Sequence, residues 1–261
     1  MQPIKSHGFS LIEIAVVLII ISVLITIVAV PLASQLELKR REETAKQLEL
    51  IKEAVIGFAL SNGRFPCASR PGDNGLESVI DAVAGTCNSF NGFLPAATLG
   101  LNVIDSSGFA VDAWGIQQNR IRYAVADASL VTANGPCPNT GAHFFTQKNG
   151  MQKATMSCLN DNSSTITMLT VKSTSVTNVA AGCAPATLTT KSPFVIFSLG
   201  KNAATGGVDP DEATNLTANT VTFISHTPTA AGTCAGEFDD IVTWPSLNTI
   251  FGRMIQAGKL P

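Results

Sequence analysis

The sequence predicts an α+β protein in which a long N-terminal helix packs against an antiparallel β-sheet head with disulfide-stapled loops. Three observations lead to this prediction. No charged residue occurs between Ile14 and Ala33. A charged segment with helical periodicity follows this run. Beyond it, short strand-like runs alternate with polar loops, as expected of a sheet.

The first element is the apolar run from Ile14 to Ala33. At ~1.5 Å of rise per residue, a helix over this run would cross the roughly 30 Å hydrocarbon core of a bilayer. A carboxylate, Glu13, comes directly before the run, and such a group near a membrane usually has a function and a partner charge. A cleaved secretory signal does not fit, because the run is too long and no small-residue cleavage site follows it.

The second element continues this helix through a charged segment, Glu37 to Glu53. An apolar stripe with spacings typical of a helix then appears, and Asn62-Gly63 is expected to end it. The stripe consists of Leu48, Ile51, Val55 and Phe58. We therefore expect one helix from Phe9 to about Ser61, whose second half packs against a head. The predicted organisation is a leader (1–8), a transmembrane helix (9–34), its amphipathic continuation (35–62) and a globular head (63–261).

The head is predicted to contain at least four strands, each bounded by turn-forming residues. They are Arg120 to Ala126, Thr165 to Val171, Pro193 to Leu199 and Thr220 to Ser225. A final helix is predicted from an apolar stripe that Gly258 closes. The stripe is Leu247, Ile250, Phe251, Met254 and Ile255.

All six cysteines follow the apolar run, without a C-x-x-C motif or a metal-like spacing. This favours disulfides in an oxidising compartment, with buried free thiols as the alternative. Six cysteines allow fifteen pairings, of which sequential pairing gives short loops. The disulfide candidates are Cys67, Cys87, Cys137, Cys158, Cys183 and Cys234.

Catalysis and nucleic-acid binding are not expected. The chain has three histidines and contains none of the common nucleophile, zinc-protease or phosphate-loop motifs. Asp239 and Asp240 are adjacent, and on a strand they would point to opposite faces, which argues against an acid/base pair. A formal net charge of -2 lacks the basic excess of a nucleic-acid-binding surface.

The stretch Gly8-Phe9-Ser10-Leu11-Ile12-Glu13 resembles the cleavage and methylation signal of type IV pilins and of type II secretion pseudopilins. The resemblance implies that a prepilin peptidase cuts after Gly8, that Phe9 becomes the N-methylated terminus, and that Phe9 and Glu13 serve in assembly. The physical logic agrees with this, because an ammonium on Phe9 and the carboxylate of Glu13 in a neighbouring copy would neutralise each other in a low dielectric. Other pilin or pseudopilin subunits, the peptidase, an inner-membrane assembly platform and the membrane are the implied partners.

Two stretches of the head look like parts of the major pseudopilins: Asp112-Ala113-Trp114-Gly115 and Ser198-Leu199-Gly200. In those proteins a loop near the second motif holds calcium, yet Lys201-Asn202 stands here where an acidic residue is expected. Weak calcium candidates are the oxygen-bearing residues Asp209, Asp211, Glu212, Asp239 and Asp240. We expect a solvated acidic turn rather than a metal site, and no cofactor.

Two classes of function remain open. The resemblance favours a filament subunit, in a pilus or a secretion pseudopilus, anchored once in a bacterial inner membrane with a periplasmic head. The alternative is a signal-anchored periplasmic binding protein or enzyme that does not polymerise. Cations flank the run on both sides, Lys5 before it and Lys39 to Arg41 after it, so the positive-inside rule does not support this orientation.

Overall fold

The structure is a computed structural model, and it describes residues 10–102, 104–127, 143–153, 168–177, 183–205 and 207–259, with the side chains of 26–33 left out. Gly8, Phe9, Cys137 and Cys158 lie outside the described residues. The chain divides into two compact units, which meet between Glu42 and Glu43. We call the described helical part of the first unit, residues 11–42, the stem, and the second unit the head.

One helix, α1 (Leu11–Asn62), contributes to both units. It ends as predicted, because Gly63 adopts a φ of 67°, in the left-handed region that favours glycine. The Gly63 amide donates to the carbonyl of Ala59 at 2.8 Å and closes the last turn. Helical periodicity therefore predicted the element, and the Asn62-Gly63 pair predicted its end. The predicted start at Phe9 was wrong, because Ser10 lies outside the helix and α1 begins at Leu11.

The head contains a four-stranded antiparallel sheet in the order β3-β4-β7-β9. A three-stranded sheet has the order β6-β5-β8, and β1 and β2 form a separate hairpin. The β5–β8 pair is parallel, so the prediction of an antiparallel head is incomplete. The strands are β1 (Val79–Asp81), β2 (Thr86–Cys87), β3 (Asn91–Phe93), β4 (Arg122–Val125), β5 (Leu169–Lys172), β6 (Thr187–Ser192), β7 (Phe194–Ser198), β8 (Thr222–Ile224) and β9 (Ile241–Thr243).

Within the described residues, two further α-helices belong to the head: α2 (Pro210–Leu216) and α3 (Leu247–Gln256). The predicted stripe of α3 is buried at Leu247, Ile250, Phe251 and Met254. Ile255 is 52% exposed, so its assignment to the buried face was wrong. The α2 segment was expected to be a turn; Pro210 at its first position and two acidic residues in its first turn are typical of a helix start.

The head core is one hydrophobic cluster to which the second half of α1 and the sheets contribute. Leu48, Ile51 and Val55 of the predicted stripe are at most 3% exposed, whereas Phe58 is half-buried. Polar contacts add to this packing, since Gln47 Nε2 donates to the Val111 carbonyl at 2.7 Å and Ala113 N donates to Thr44 Oγ1 at 3.2 Å. The core is thus formed within the head itself.

Candidate functional site

The start of α1 carries the predicted assembly residue Glu13. Ser10 occupies the N-cap position, and its backbone amide donates to Glu13 Oε2 at 3.4 Å. The amides of Glu13 and Ile14 donate to the Ser10 carbonyl at 3.0 and 3.2 Å. A serine followed three residues later by a glutamate that reaches back to it is half of a capping box. Glu13 therefore has a local structural contact that could have been read from the sequence, besides any role in assembly.

The first part of the stem exposes nearly all its apolar surface. Every described side chain from Leu11 to Ile25 is exposed, and the values for its large apolar residues run from 45% at Ile21 to 88% at Leu11. Such a continuous apolar surface marks contact with another protein or with lipid. The described residues nevertheless include no helix that is both long and apolar enough to cross a membrane. The predicted span includes residues 26–33, whose side chains lie outside the described set.

Two disulfides join described cysteines of the head, Cys67 to Cys87 and Cys183 to Cys234. Their Cα atoms are 5.5 and 6.3 Å apart, within the usual range. Both pairs agree with sequential pairing, and no described cysteine is free. The prediction of disulfides over free thiols is confirmed for these four residues.

The two head motifs lie together in the structure although 86 residues separate Asp112 from Ser198. Asp112 Oδ2 accepts hydrogen bonds from Ser198 Oγ at 2.5 Å and from Asn119 Nδ2 at 2.8 Å, while Oδ1 accepts from the Trp114 amide at 2.9 Å. The Asn119 amide group also donates to the Gly200 carbonyl at 2.5 Å. Burial raises the pKa of Asp112 more than these hydrogen bonds lower it. Asp112 therefore holds both turns in place.

A cluster of three buried carboxylates, which we call the acidic cluster, adjoins the second motif. Glu212, Asp239 and Asp240 each place a carboxylate oxygen within 4.8 Å of the others. Asp239 Oδ2 accepts from the amides of Lys201 and Asn202 at 3.0 and 3.1 Å. Its own amide donates to Glu212 Oε1 at 2.9 Å. The turn after Ser198 is thereby attached to α2 and to the segment before β9.

Within the acidic cluster, the pKa of Glu212 is raised. Burial raises the pKa of Glu212, and the charges of Glu237 and Asp209 raise it further, against hydrogen bonds from Asp239 and Asn202. The Asn202 side chain donates to both Glu212 oxygens, at 3.0 and 2.8 Å. Carboxylate oxygens are the ligands that calcium prefers, so Glu212, Asp239 and Asp240 would hold such an ion.

The other two calcium candidates lie outside the acidic cluster. Asp209 Oδ2 accepts from the Glu237 amide at 3.0 Å. Asp211 Oδ1 accepts from Ser175 Oγ and Thr174 Oγ1 at 2.6 and 3.1 Å, and Asp211 Oδ2 lies 3.2 Å from His226 Nε2. Asp211 thus connects α2 to the end of β5, and it is a structural residue.

Two expectations about these acids were wrong. The acidic turn is not solvated, because Asp211, Glu212, Asp239 and Asp240 are all at most 7% exposed. Asp239 and Asp240 precede β9 and are not in a strand, which explains how their carboxylates converge. The sequence signal that was missed is the placement of Glu212 in the first turn of a short helix, where it faces the residues before β9.

Residues 4–29 match the prokaryotic N-terminal methylation motif, the prepilin-type signal of type IV pilins and pseudopilins. Gly8, Phe9 and Glu13 all fall within this match. No curated protein and no solved structure matches the chain. The chain therefore carries a prepilin-type signal, and this motif supports a coarse association with pilin-type subunits and with the prepilin peptidase.

Proposed function

We propose that this protein is a structural subunit of a type IV pilus or of a type II secretion pseudopilus. The observation that carries the proposal is the prepilin-type signal at residues 4–29, together with the exposed apolar side chains of α1 from Leu11 to Ile25. A helix that is apolar on all sides must be covered by lipid or by other helices. A filament subunit uses both coverings in turn, first in the membrane and then in the filament.

The proposed mechanism has two steps. Peptidase cleavage after Gly8 creates an ammonium on Phe9, which is then N-methylated. In the filament, this ammonium meets the Glu13 carboxylate of a neighbouring copy, where each charge relieves the desolvation cost of the other. Such pairing sets the axial register of the stacked helices, as buried polar residues set register in coiled coils. The subunit itself performs no catalysis under this proposal.

The proposed location is a bacterial inner membrane, crossed once, with the head in the periplasm before assembly. The disulfides Cys67–Cys87 and Cys183–Cys234 support an oxidising compartment for the head. An inner-membrane assembly platform is the further proposed partner. The alternative is a signal-anchored periplasmic binding protein or enzyme. Such a protein does not need the methylation motif that residues 4–29 match.

Substitution of Gly8 tests the processing step. A Gly8→Val precursor should keep its leader and stay unassembled, because the peptidase of this family cuts after a glycine. Mass spectrometry of the N-terminus would show Phe9 in the wild type and Met1 in the variant. Substitution of Gln2 by Ala, in the same leader, is the matched control and should leave processing intact. A wild-type protein that retains its leader in cells with the peptidase would contradict the proposal.

A further inference from the structure

A groove of about 610 Å³ opens in the head beside strands β3 and β4. Its walls come from three parts of the head: the segment after Cys67, the two strands, and the turn that follows α2. The residues that matter here are Ser69, Asn88, Asn91, Phe93, Arg122 and Asn219. Apart from the ring of Phe93, these side chains are hydroxyl, amide or guanidinium groups. Pro71, Leu216 and Ala218 add apolar surface, so the groove combines polar groups with apolar walls.

Arg122 is the distinctive residue of this groove. Its guanidinium lies 4.2 Å from the centre of the Phe93 ring, its cross-strand partner in the β3–β4 register. The two other arginines nearby have carboxylate partners: Arg120 with Asp105 at 2.6 Å, and Arg70 with Asp73 at 3.4 Å. Arg122 forms no ion pair within the described part of the chain. The groove therefore carries one uncompensated positive charge.

Burial makes the unpaired charge of Arg122 energetically unfavourable. Burial, and secondarily the neighbouring Arg120 cation, lowers the pKa of Arg122, although a guanidinium stays protonated at neutral pH. The Arg122 Nε atom and the Ser69 Oγ atom are both buried and have no hydrogen-bond partner among the described residues. Buried polar groups in native proteins are almost always satisfied, and a buried charge is normally paired. The Arg122 charge, which has no ion-pair partner among the described residues, therefore favours an anionic ligand with oxygen acceptors.

We propose that this groove binds an acidic sugar, a uronic acid, through its carboxylate on Arg122. A planar guanidinium matches a carboxylate through two parallel hydrogen bonds. The side chains of Asn88, Asn91 and Asn219 supply donors and acceptors for the hydroxyl groups of the same ligand. This binding role is independent of filament assembly, because every residue involved belongs to the head.

Titration of the full-length protein in detergent with D-galacturonate tests this inference, by calorimetry or by NMR. D-galactose, which has a hydroxymethyl group in place of the carboxylate, is the matched ligand control. We expect galacturonate to bind at least roughly tenfold more tightly than galactose, because galactose has no carboxylate to form charged hydrogen bonds with Arg122. Inorganic phosphate should also bind more weakly than galacturonate, because it cannot use the amide-lined part of the groove.

Arg122→Gln should weaken galacturonate binding roughly tenfold or more, while Arg253→Gln, on α3, should leave it unchanged. A thermal melt establishes that each variant folds. If Arg122→Gln does not fold, Arg122→Lys replaces it in the test. Its ammonium keeps the charge but cannot form the two parallel hydrogen bonds, so this variant should bind galacturonate more weakly than the wild type. The inference is overturned if galacturonate does not bind at millimolar concentration, if galactose or phosphate binds equally well, or if folded Arg122 variants bind like the wild type.

Discussion

Similar apolar residues are exposed in the stem and buried in the head. Leu11 and Leu18 of the stem are 88% and 61% exposed, whereas Leu48 and Val55, further along the same helix, are fully buried. In the head part of α1, the apolar stripe faces a core, and Lys46, Glu49 and Glu53 lie on the exposed side. In the stem, the run from Ile14 to Ala33 contains no charged residue.

This difference shows where each region obtains its stability. Full burial of a large aliphatic side chain contributes about 1.5–3 kcal/mol. The head realises that contribution within its own chain, through one hydrophobic cluster and two described disulfides. The stem gains it only when lipid or another subunit covers it. The head should therefore be insensitive to changes in the stem, and assembly should depend on the stem.

The largest expected effect comes from a matched pair of leucine substitutions. Leu48→Ala should lower the free energy of unfolding of the head by about 2–5 kcal/mol, because it leaves a cavity in the core. Leu18→Ala removes an equal side chain from the exposed stem and should leave that free energy unchanged. Urea denaturation of both variants, followed by the fluorescence of the two tryptophans, measures the comparison. Equal losses in the two variants would show that the head does not stabilise itself.

Calcium should produce a smaller effect, confined to the head. If Glu212, Asp239 and Asp240 bind the ion, stability should increase by up to about 2.7 kcal/mol when calcium is at a hundred times its dissociation constant. Differential scanning calorimetry with calcium and then with a chelator measures the shift. Glu212→Gln should abolish it, while Glu49→Gln, on the exposed side of α1, should not. A melting temperature that calcium leaves unchanged would mean that hydrogen bonds alone stabilise these acids.

The smallest expected effect is a change in the free energy of unfolding with pH, to which different carboxyl groups contribute with opposite signs. The pKa values of Asp112 and Glu212 are raised in the fold, so the folded state binds these protons more tightly than the unfolded state. The free energy of unfolding should therefore increase as the pH falls towards the ordinary pKa values, 3.8 for Asp112 and 4.5 for Glu212. Asp105 has the opposite sign: burial raises its pKa, but hydrogen bonds from Phe109 and Arg120 outweigh this and lower it. Its contribution should be lost as the pH falls below 3.8.

Chemical denaturation at several pH values checks both signs, with Asp112→Asn as the variant that should lose part of the first increase. A stability that falls steadily from neutral pH to pH 4 would contradict the role assigned to these buried acids.

Sequence periodicity predicted the long helix, its end at Gly63, and strand β7, because each is carried by many apolar residues at regular spacing. It did not predict β3 or β9, which have three residues each and no buried face of their own. Such short strands are defined by their partners in the sheet and not by local pattern.

Prediction of the candidate sites from the sequence has the same limit. The predicted processing and assembly residues form one local motif, so they could be located from spacing alone. The acidic cluster combines Glu212 with Asp239, 27 residues apart, and the groove combines Ser69 with Arg122, which pair with Phe93 from the two sides of β3. No local pattern encodes either contact, since both depend on how distant segments pack.

The central claim is that the Glu13 carboxylate meets an amine of another copy, and Glu13→Gln tests it most directly. Glutamine keeps an oxygen that can accept the Ser10 amide, and so preserves the local capping contact, but it removes the charge. Cross-linking between two differently tagged copies in the native membrane reports assembly, with Glu37→Gln as the matched control. We predict that Glu13→Gln is processed normally but assembles as poorly as Glu13→Ala. Assembly of Glu13→Gln at the wild-type level would contradict the claim and would leave Glu13 with a capping role only.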